Sequence, residues 1–538
     1  MQSSKQKDAE INSPEKIGGN RKIYRNVKAY VVEYCECSSI QGLSYLTKNI
    51  SALETWWWVI VLILCISGCS FMIKEIIDKW NQSPVLVSLA TNEEPIFKVP
   101  FPAVTICPET KITRQCLNYS RVLRFRKAKR DNEISQQEKD YFDYMAPLCR
   151  LENHVNSTRD EPLNDYAEFL EKCKSVDLQN GFCQYLGRNI NCTEIFTPII
   201  TDDGLCYTFN MLDERNIYTE TNQRKYFNHM SRNSDWSIEY GYRKQNNKST
   251  YPRRGFRAGI HNSLVITLFT KKSDVYASCQ DFSLHGLKVT LHTPSTIPRP
   301  NQISFPTGFD ELVAVSVIPA LSITSAEIKE YSPHKRSCYF EKERKLKYFQ
   351  RYTQSNCNME CWTNFTIQEC GCVHFYMPRD ADTRICSPSK IKCLSDAEDS
   401  YAVSNFPKRY RPTKQPKGAL DNDCDCLPSC ADLSYETEIS RGRWKWNDSS
   451  RPEGRYMRKY FDEYYASTIK VFYKTSHFLP IEKTELYGIV SFLSNAGGIL
   501  GLFLGFSLFS VVEILYFSSI RLIENYRNFG KWLGRRNQ

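Results

Sequence analysis

Residues Leu486 to Ile520 read LYGIVSFLSNAGGILGLFLGFSLFSVVEILYFSSI, and the fold turns on how this stretch is interpreted. It is uncharged from Leu486 through Val512, which as one helix would run roughly 40 Å against a hydrocarbon core of roughly 30 Å. A single straight helix overshoots the bilayer. Gly488 stands near its start, Gly497, Gly498, Gly501 and Gly505 lie deep inside it, and a lone carboxylate, Glu513, stands near its far end. Gly501 and Gly505 form a G-x-x-x-G pair, a spacing that lets helix backbones approach closely. Packing accounts for those two glycines. It does not account for Gly505-Phe506-Ser507 beside Glu513, a charge that costs ~3 kcal/mol at mid-membrane unless it meets water or a partner. The combination points to a span that lines an aqueous path, where irregular backbone is tolerated because it does not face lipid.

A second apolar run, Thr55 to Ile73 (TWWWVIVLILCISGCSFMI), has nineteen residues between Glu54 and Lys74 and is long enough to cross a bilayer. The first fifty residues are polar and lack the apolar core of a signal peptide, so the run reads as an internal anchor. Hydrophobicity is thus localised, and the mean hydropathy of −0.48 mostly describes the polar stretch between the two runs. Trp56, Trp57 and Trp58 mark an interfacial belt at the edge of the first span.

Two spans put both termini on one side. Arg521, Arg527, Lys531, Arg535 and Arg536 follow the second against one acid, Glu524, while Arg21, Lys22, Arg25, Lys28 and Lys48 precede the first. Cytoplasmic flanks carry such an excess, so both ends are expected in the cytoplasm, and the net charge of +11 partly reports topology. No aromatic-basic platform for nucleic acid accompanies it. The expected division is a cytoplasmic N-terminus at 1–54, transmembrane helix 1 at 55–75, an extracellular cysteine-rich domain at 76–485, a pore-lining helix at 486–520 and a cytoplasmic C-terminus at 521–538.

Cysteine usage gives an independent vote. Of 22 cysteines, Cys35, Cys37, Cys65 and Cys69 lie in or before the first span, and eighteen fall between Cys107 and Cys430. An even number confined to one loop fits an oxidising, extracellular compartment. Asn118, Asn156, Asn191, Asn247, Asn364 and Asn447 head glycosylation sequons in that loop; Asn49 heads one that would be cytoplasmic and is expected to stay bare, and Asn81 sits close to the membrane. Cys35 and Cys37 form a lone C-x-C, and the chain has no C-x-x-C pair, so reduced structural thiols are expected there and no metal site.

Between the spans, Phe101 to Pro108 (FPAVTICP) is a short strand-like run, and Asp202 to Met211 (DDGLCYTFNM) places a turn before an aromatic strand. Apolar runs at Leu264–Phe269, Leu287–Leu291, Leu312–Ile318 and Ile469–Tyr473 read as further strands of a mixed α/β domain. In the last of these Ile469, Val471 and Tyr473 share a face, and it leads almost directly to the second span. Arg121 to Asp140 reads as a solvated helical face. The charge spacing of Tyr339 to Gln354 predicts a helix, with a second helical pass from Cys357. Ten cysteines between Cys338 and Cys430 then suit a narrow rod with little core, stiffened by crosslinks. An enzyme is disfavoured: there is no H-E-x-x-H, no G-x-S-x-G, no P-loop, and no two histidines stand four residues apart.

Several segments together resemble the degenerin/epithelial sodium channel family, most closely its insect pickpocket branch. They are FPAVTICP, GLCYTFN (Gly204 to Asn210), YPRR (Tyr251 to Arg254), GLKVTLH (Gly286 to His292), SCYFEKE from Ser337, NCNMECWTNFTIQECGCVHFYMPR (Asn356 to Arg379), CDCLPSC (Cys424 to Cys430) and FLSNAGGILGLFLGFS. The resemblance covers about residues 34 to 527, in order. It implies a homo- or heterotrimer of related subunits around a central pore, each giving two transmembrane helices and a large disulfide-rich ectodomain. Gly505, Phe506 and Ser507 look like the family's selectivity belt, where backbone carbonyls face the permeant ion. Ser494 looks like the small residue at the outer gate, with Asn495, Gly498 and Gly501 along the pore and a ring of Glu513 carboxylates concentrating cations.

By the same resemblance Cys338 pairs with Cys430, Cys357 with Cys426, Cys361 with Cys424, Cys370 with Cys393, Cys372 with Cys386, Cys107 with Cys206 and Cys183 with Cys192. Cys116, Cys149, Cys173 and Cys279 remain unassigned. The sequence also departs from the family. Gln41-Gly42 stands where the family carries His-Gly, a pair tied to gating, and an amide cannot change charge near neutral pH. Asn495 stands where acid-sensing relatives have an acid, which argues against strong divalent block at that level, and proton gating does not carry over.

The expectation is a subunit of a sodium-permeable, amiloride-sensitive, non-voltage-gated channel of the plasma membrane. It meets lipid and no nucleic acid, needs no cofactor beyond permeant Na⁺, and answers to a stimulus the sequence does not name. Two other readings stand beside it. An ATP-gated trimeric channel shares two spans and a cysteine-rich loop but lacks the GLCYTFN and G-x-S signatures. A non-conducting regulatory subunit or cell-surface receptor of the same fold would keep every feature above.

Overall fold

The computed structural model describes residues 27, 30–47, 51–82, 85–149, 160, 166–222, 232–234, 236–243, 251–275, 285–404, 424–446, 462–486 and 488–529. The chain divides into two compact units, one of residues 87–484 and one of 1–86 with 485–538.

Alternation decides the centre of the larger unit. Val313, Val315 and Val317 lie on one side of the strand Glu311–Thr324 and are buried, while the residues between them are half-exposed, the period of two that a pleated strand imposes. This strand pairs antiparallel with Asp432–Arg443 and parallel with Tyr464–Tyr473, setting Val313 opposite Ile469 and Val315 opposite Val471. Leu264–Lys271 continues the sheet antiparallel to Tyr464–Tyr473, followed by Phe182–Tyr185 and Arg188–Ile190. A second, five-stranded sheet has the order Phe305–Gly308, Gly286–His292, Ala103–Pro108, Gly204–Phe209, Phe196–Thr201, all antiparallel. Ala103–Pro108 and Gly204–Phe209 are buried along their whole length, which is why FPAVTICP and GLCYTF read as continuous apolar runs and do not alternate.

An aromatic cluster ties this part of the core together. Phe101 packs edge-on against Tyr185, Phe209 and Tyr473, and the hydroxyls of Tyr473 and Tyr435 both donate to the Pro100 carbonyl, at 2.7 and 2.9 Å. Each buried hydroxyl thereby keeps a partner.

Three expectations for this unit need correction. Tyr339–Thr353 makes turns and no helix, and helix begins only at Gln354. Its amides are claimed from elsewhere: Lys347 and Tyr348 N–H donate to the Glu360 carboxylate at 3.0 and 2.9 Å, and Gln350 N–H to the Ile217 carbonyl at 2.9 Å. Burial of Tyr348, Phe349 and Tyr352 outweighs the weak propensity signal. The cysteine-dense segment is also well cored. Its helix Gln354–Cys370 buries Met359 and Trp362 in the main core, and Phe365 packs with Leu394 and Ala397 of Ile391–Ser404, so the crosslinks fasten a packed pair of helices. The strand Tyr464–Tyr473 does not lead straight to the second span, because His477–Phe478 and Ile481–Glu485 intervene.

Arg121 to Asp140 spans two helices, Tyr119–Lys127 and Gln136–Met145, the second opened by a Ser135/Glu138 capping box. Their charges meet across the pair, Arg121 to Glu138 at 2.9 Å and Arg126 to Asp143 at 3.2 Å.

In the other unit the first span is a 31-residue helix, Ala52–Gln82, which runs past its apolar core at both ends. The second apolar stretch forms Ile489–Leu504 and a further helical run, Leu508–Asn528, bent by 79° at the break between them. That further run includes one turn of π-helix, Tyr516–Ile520.

Candidate functional site

The break falls on Gly505-Phe506-Ser507. Gly505 takes the left-handed conformation (φ 62°, ψ 21°) that ends Ile489–Leu504, a backbone state open to glycine at little cost. Ser507 then starts Leu508–Leu515 through a reciprocal cap with Ser510, whose Oγ accepts the Ser507 N–H at 3.1 Å. Opening a helix in an apolar stretch orphans backbone groups that need partners. Gly505 N–H is satisfied by the Gly501 carbonyl at 2.9 Å, and the Leu504 carbonyl accepts the Gln41 N–H at 3.0 Å.

Gln41 belongs to an N-terminal segment that folds against this break. The segment is helical over 30–37 and turns at Gly42 (φ 94°) into the short 3₁₀ helix Leu43–Leu46. A Cβ on Gly505 would stand 2.7 Å from Gln41 Cγ, so that glycine is held by contact as well as by conformation. Two residues earlier, Ser39 N–H donates to Glu513 Oε2 at 2.8 Å and Ser39 Oγ lies 2.7 Å from Ser510 Oγ. Farther along, the Tyr30 hydroxyl donates to the Phe517 carbonyl at 2.6 Å and Arg521 pairs with Glu33 at 2.8 Å. Glu513, a charge that needs water or a partner, thus has a partner in its own chain. Ser39 and Ser510 escaped the sequence reading, although the S-x-x-S spacing of Ser507 and Ser510 is a cap signal.

Ser494, Gly498, Gly501 and Gly505 follow one another at steps of four, three and four, which stacks them on one helical face. Ser494, Asn495 and Gly498 are exposed, and a Cβ on Gly497 or Gly498 would meet nothing within 4 Å. Elsewhere this helix packs on the first span: Phe492 stacks with Trp80 at 5.2 Å, and a Cβ on Gly68 would stand 3.0 Å from Phe503. At Gly497 and Gly498, unlike Gly505, the packing of this chain does not itself require glycine.

The amiloride-sensitive sodium channel family matches residues 34–517. The chain belongs to that family. Pickpocket protein 28 of Drosophila melanogaster is 27% identical over 92% of the chain and 79% of its own length. The sodium channel protein Nach of the same fly is 23% identical over 92% and 88%, and acid-sensing ion channel 4-B of Danio rerio is 24% identical over 90% and 75%. This is a cation-channel subunit and not an enzyme.

The subunit's crosslinks join Cys338 to Cys430, Cys357 to Cys426, Cys361 to Cys424, Cys370 to Cys393, Cys372 to Cys386, Cys107 to Cys206 and Cys183 to Cys192. Cys116, left unassigned above, is bonded to Cys173, and Cys149 is also disulfide-bonded; Cys279 lies outside the described residues. Cys35, Cys37, Cys65 and Cys69 are free thiols. Asp203 converges on Cys107 and Cys206, but both sulfurs are spent on each other, which leaves no thiolate for a metal. Asn118 is half-buried and caps Tyr119–Lys127, while Asn191 and Asn364 are exposed; Asn49, Asn156, Asn247 and Asn447 lie outside the described residues.

A charge cluster that the sequence reading passed over sits at the turn before GLCYTFN. Lys111 and Lys288 reach Asp203 at 2.7 and 3.0 Å, Lys288 also approaches Glu109 at 3.4 Å, and Arg299 approaches Asp202 at 3.6 Å. Burial pushes the Asp202 carboxyl up to about 6 against the pull of Arg299. His292, fully enclosed, is pushed down to about 4 by burial; its Nδ1–H donates to the Thr293 carbonyl at 3.0 Å, and Nε2 lies 2.8 Å from the Thr105 hydroxyl.

Proposed function

We propose that three such subunits surround a path for Na⁺ lined by the glycine-bearing face of the second span, with both termini cytoplasmic and the larger unit extracellular. The observation that carries this reading is the break at Gly505-Phe506-Ser507, where a helix in an apolar stretch gives up its ladder in a left-handed glycine. Backbone freed in this way is tolerated in a membrane only where it is buried in protein or lines water. Its carbonyl dipoles supply the partial negative charge that a dehydrating cation needs.

Open space beside Gly497 and Gly498 fits the close approach of neighbouring copies. In this reading Ser494 and Asn495 form the outer gate and Gln41-Gly42 buttresses the filter from the cytoplasmic side. Glu513 anchors the N-terminal segment through Ser39, and a threefold set of these carboxylates draws cations.

The test is electrical. Replacing Ser507 with alanine or cysteine is expected to lower sodium-over-potassium selectivity in recorded currents, and Ser494→Val to raise resting current. Unaltered reversal potentials in conducting Ser507 variants would remove the filter assignment. A subunit that reaches the surface yet conducts only beside a related chain would identify it as an accessory member of a heterotrimer.

A further inference from the structure

Phe182–Tyr185 and Arg188–Ile190 form a hairpin whose two central residues, Leu186 and Gly187, both have positive φ, 51° and 77°. Such a pair closes a two-residue hairpin in register with the twist of its strands. Cys183 stands opposite Ile190, and it is bonded to Cys192 across a sequence separation of 9. Nothing outside this short stretch is needed to bring the two sulfurs together.

The same stretch carries a sequon whose middle residue is the second cysteine, Asn191-Cys192-Thr193. In the folded chain Asn191 caps the short helix Cys192–Ile195, with its Oδ1 accepting the Thr193 N–H at 3.0 Å and the Thr193 hydroxyl at 2.9 Å. Cys192 is buried, and a Cβ on Gly181 would already stand 3.2 Å from its Sγ. The Asn191 amide is at the surface, yet the two residues behind it are fixed in a turn and tethered to Cys183. A transferase that must hold Asn-x-Thr as an extended chain and engage the threonine hydroxyl cannot do so once this hairpin is closed.

We propose that Asn191 is a conditional glycosylation site, in which glycan transfer and the Cys183–Cys192 disulfide compete for the same three residues and hairpin closure leaves the asparagine bare. The inference rests on the extracellular placement of the larger unit. In transfer, Asn191 Nδ2 forms a bond to the anomeric carbon of an oligosaccharide carried on a lipid diphosphate. The carbon–oxygen bond to the diphosphate breaks, the lipid diphosphate leaves with the electron pair, and the amide nitrogen gives up one proton to a base of the transferase. In the rival reaction the two thiols pass two electrons and two protons to a carrier disulfide, which is reduced to a dithiol.

Sequence separation sets the winner. Cys357 and Cys361, just before Asn364, wait for Cys426 and Cys424, which lie 69 and 63 residues on, and Cys116, just before Asn118, waits 57 residues for Cys173. At about 5–20 residues per second of synthesis those partners arrive seconds later, whereas Cys183 and Cys192 meet in a hairpin that forms in roughly 1–10 μs and so enter the slower step, disulfide exchange, that much sooner. Asn118 and Asn364 therefore stay unfolded long enough to be modified, and Asn191 does not.

Glycopeptide mass spectrometry of the full chain expressed in animal cells tests this. Asn118 and Asn364 are expected to be occupied and Asn191 mostly bare, with Cys183→Ser raising Asn191 occupancy several-fold and leaving Asn364 unchanged. Because that variant can be retained as misfolded protein, a second arm labels the unaltered chain during brief treatment of the cells with dithiothreitol, where Asn191 occupancy is expected to rise as well. Full occupancy of Asn191 in the unaltered chain, or no rise in either arm, overturns the competition. Bare Asn118 and Asn364 throughout would overturn the extracellular placement instead.

Discussion

Some glycines of the larger unit stand where something else presses on them, whereas two of the deepest in the membrane unit have nothing beside them. A Cβ on Gly286 would fall 2.0 Å from the Thr307 carbonyl oxygen, and one on Gly255 would fall 2.7 Å from Tyr473, but at Gly497 and Gly498 the space is empty. The larger unit is also rich in internal partners, disulfides, buried ion pairs and hydroxyls capped by carbonyls. The membrane unit turns Leu493, Leu502, Leu508 and Phe509 outward. The membrane unit keeps small and apolar surfaces that only lipid, water or further copies satisfy.

The strongest way to break that contrast is to add one methyl to each kind of glycine. Gly286→Ala, at φ 137° and in collision with backbone, is expected to cost roughly 3 kcal/mol or more and to abolish surface expression, read by surface biotinylation. Gly498→Ala removes a helix-interior glycine from open space and is expected to leave surface expression intact or improved by up to about 1 kcal/mol of helix propensity, while changing the current. Normal expression of the first, or loss of the second, would dissolve the distinction.

Ion pairs sharpen it at the next level. Lys288→Met leaves Glu109 and Asp203, both nearly buried, with Lys111 as their remaining ammonium, and is expected to destabilise by about 3 kcal/mol. Arg521→Gln breaks a pair whose side chains are 36% and 45% exposed, and about 0.5 kcal/mol is expected. Thermal unfolding of the purified subunit compares the two.

The smallest expected effect is in pH. Asp202 has a folded value raised to about 6 from 3.8, so the folded chain binds this proton more tightly than the unfolded one, and the group adds stability as pH falls from 7 toward 4. His292, lowered to about 4 from 6.5, does the reverse over the same window, because the unfolded chain takes up the proton first. Asp202→Asn removes only the first contribution, so its stability is expected to fall between pH 7 and 5 by about 1 kcal/mol more than that of the unaltered chain. Parallel pH profiles would show that Asp202 does not titrate there.

Much of this was legible in the sequence where one physical rule dominates. Continuous or alternating valine, isoleucine and aromatic runs placed the strands around Val313–Val317, Ala103–Pro108 and Leu264–Lys271, and the uncharged length after Leu486 demanded a broken span. Charge spacing failed at Tyr339–Gln354, because Glu360 and Ile217, distant in sequence, compete for its amides. The seal of Ser39 and Gln41 on the break was invisible for the same reason: it joins residues more than 450 positions apart through backbone groups, which every sequence carries. The Asp203–Lys288 cluster hid because adjacent acids in a turn look like solvated surface until burial is known.

The strand Glu311–Thr324 is held along one edge from Glu311 to Ser322 by Asp432–Arg443 and along the other by Tyr464–Tyr473. A load applied along its length strains those hydrogen bonds together in shear, whereas a sideways load peels them one by one from an end. The paired strand therefore resists load along its own axis better than load across it.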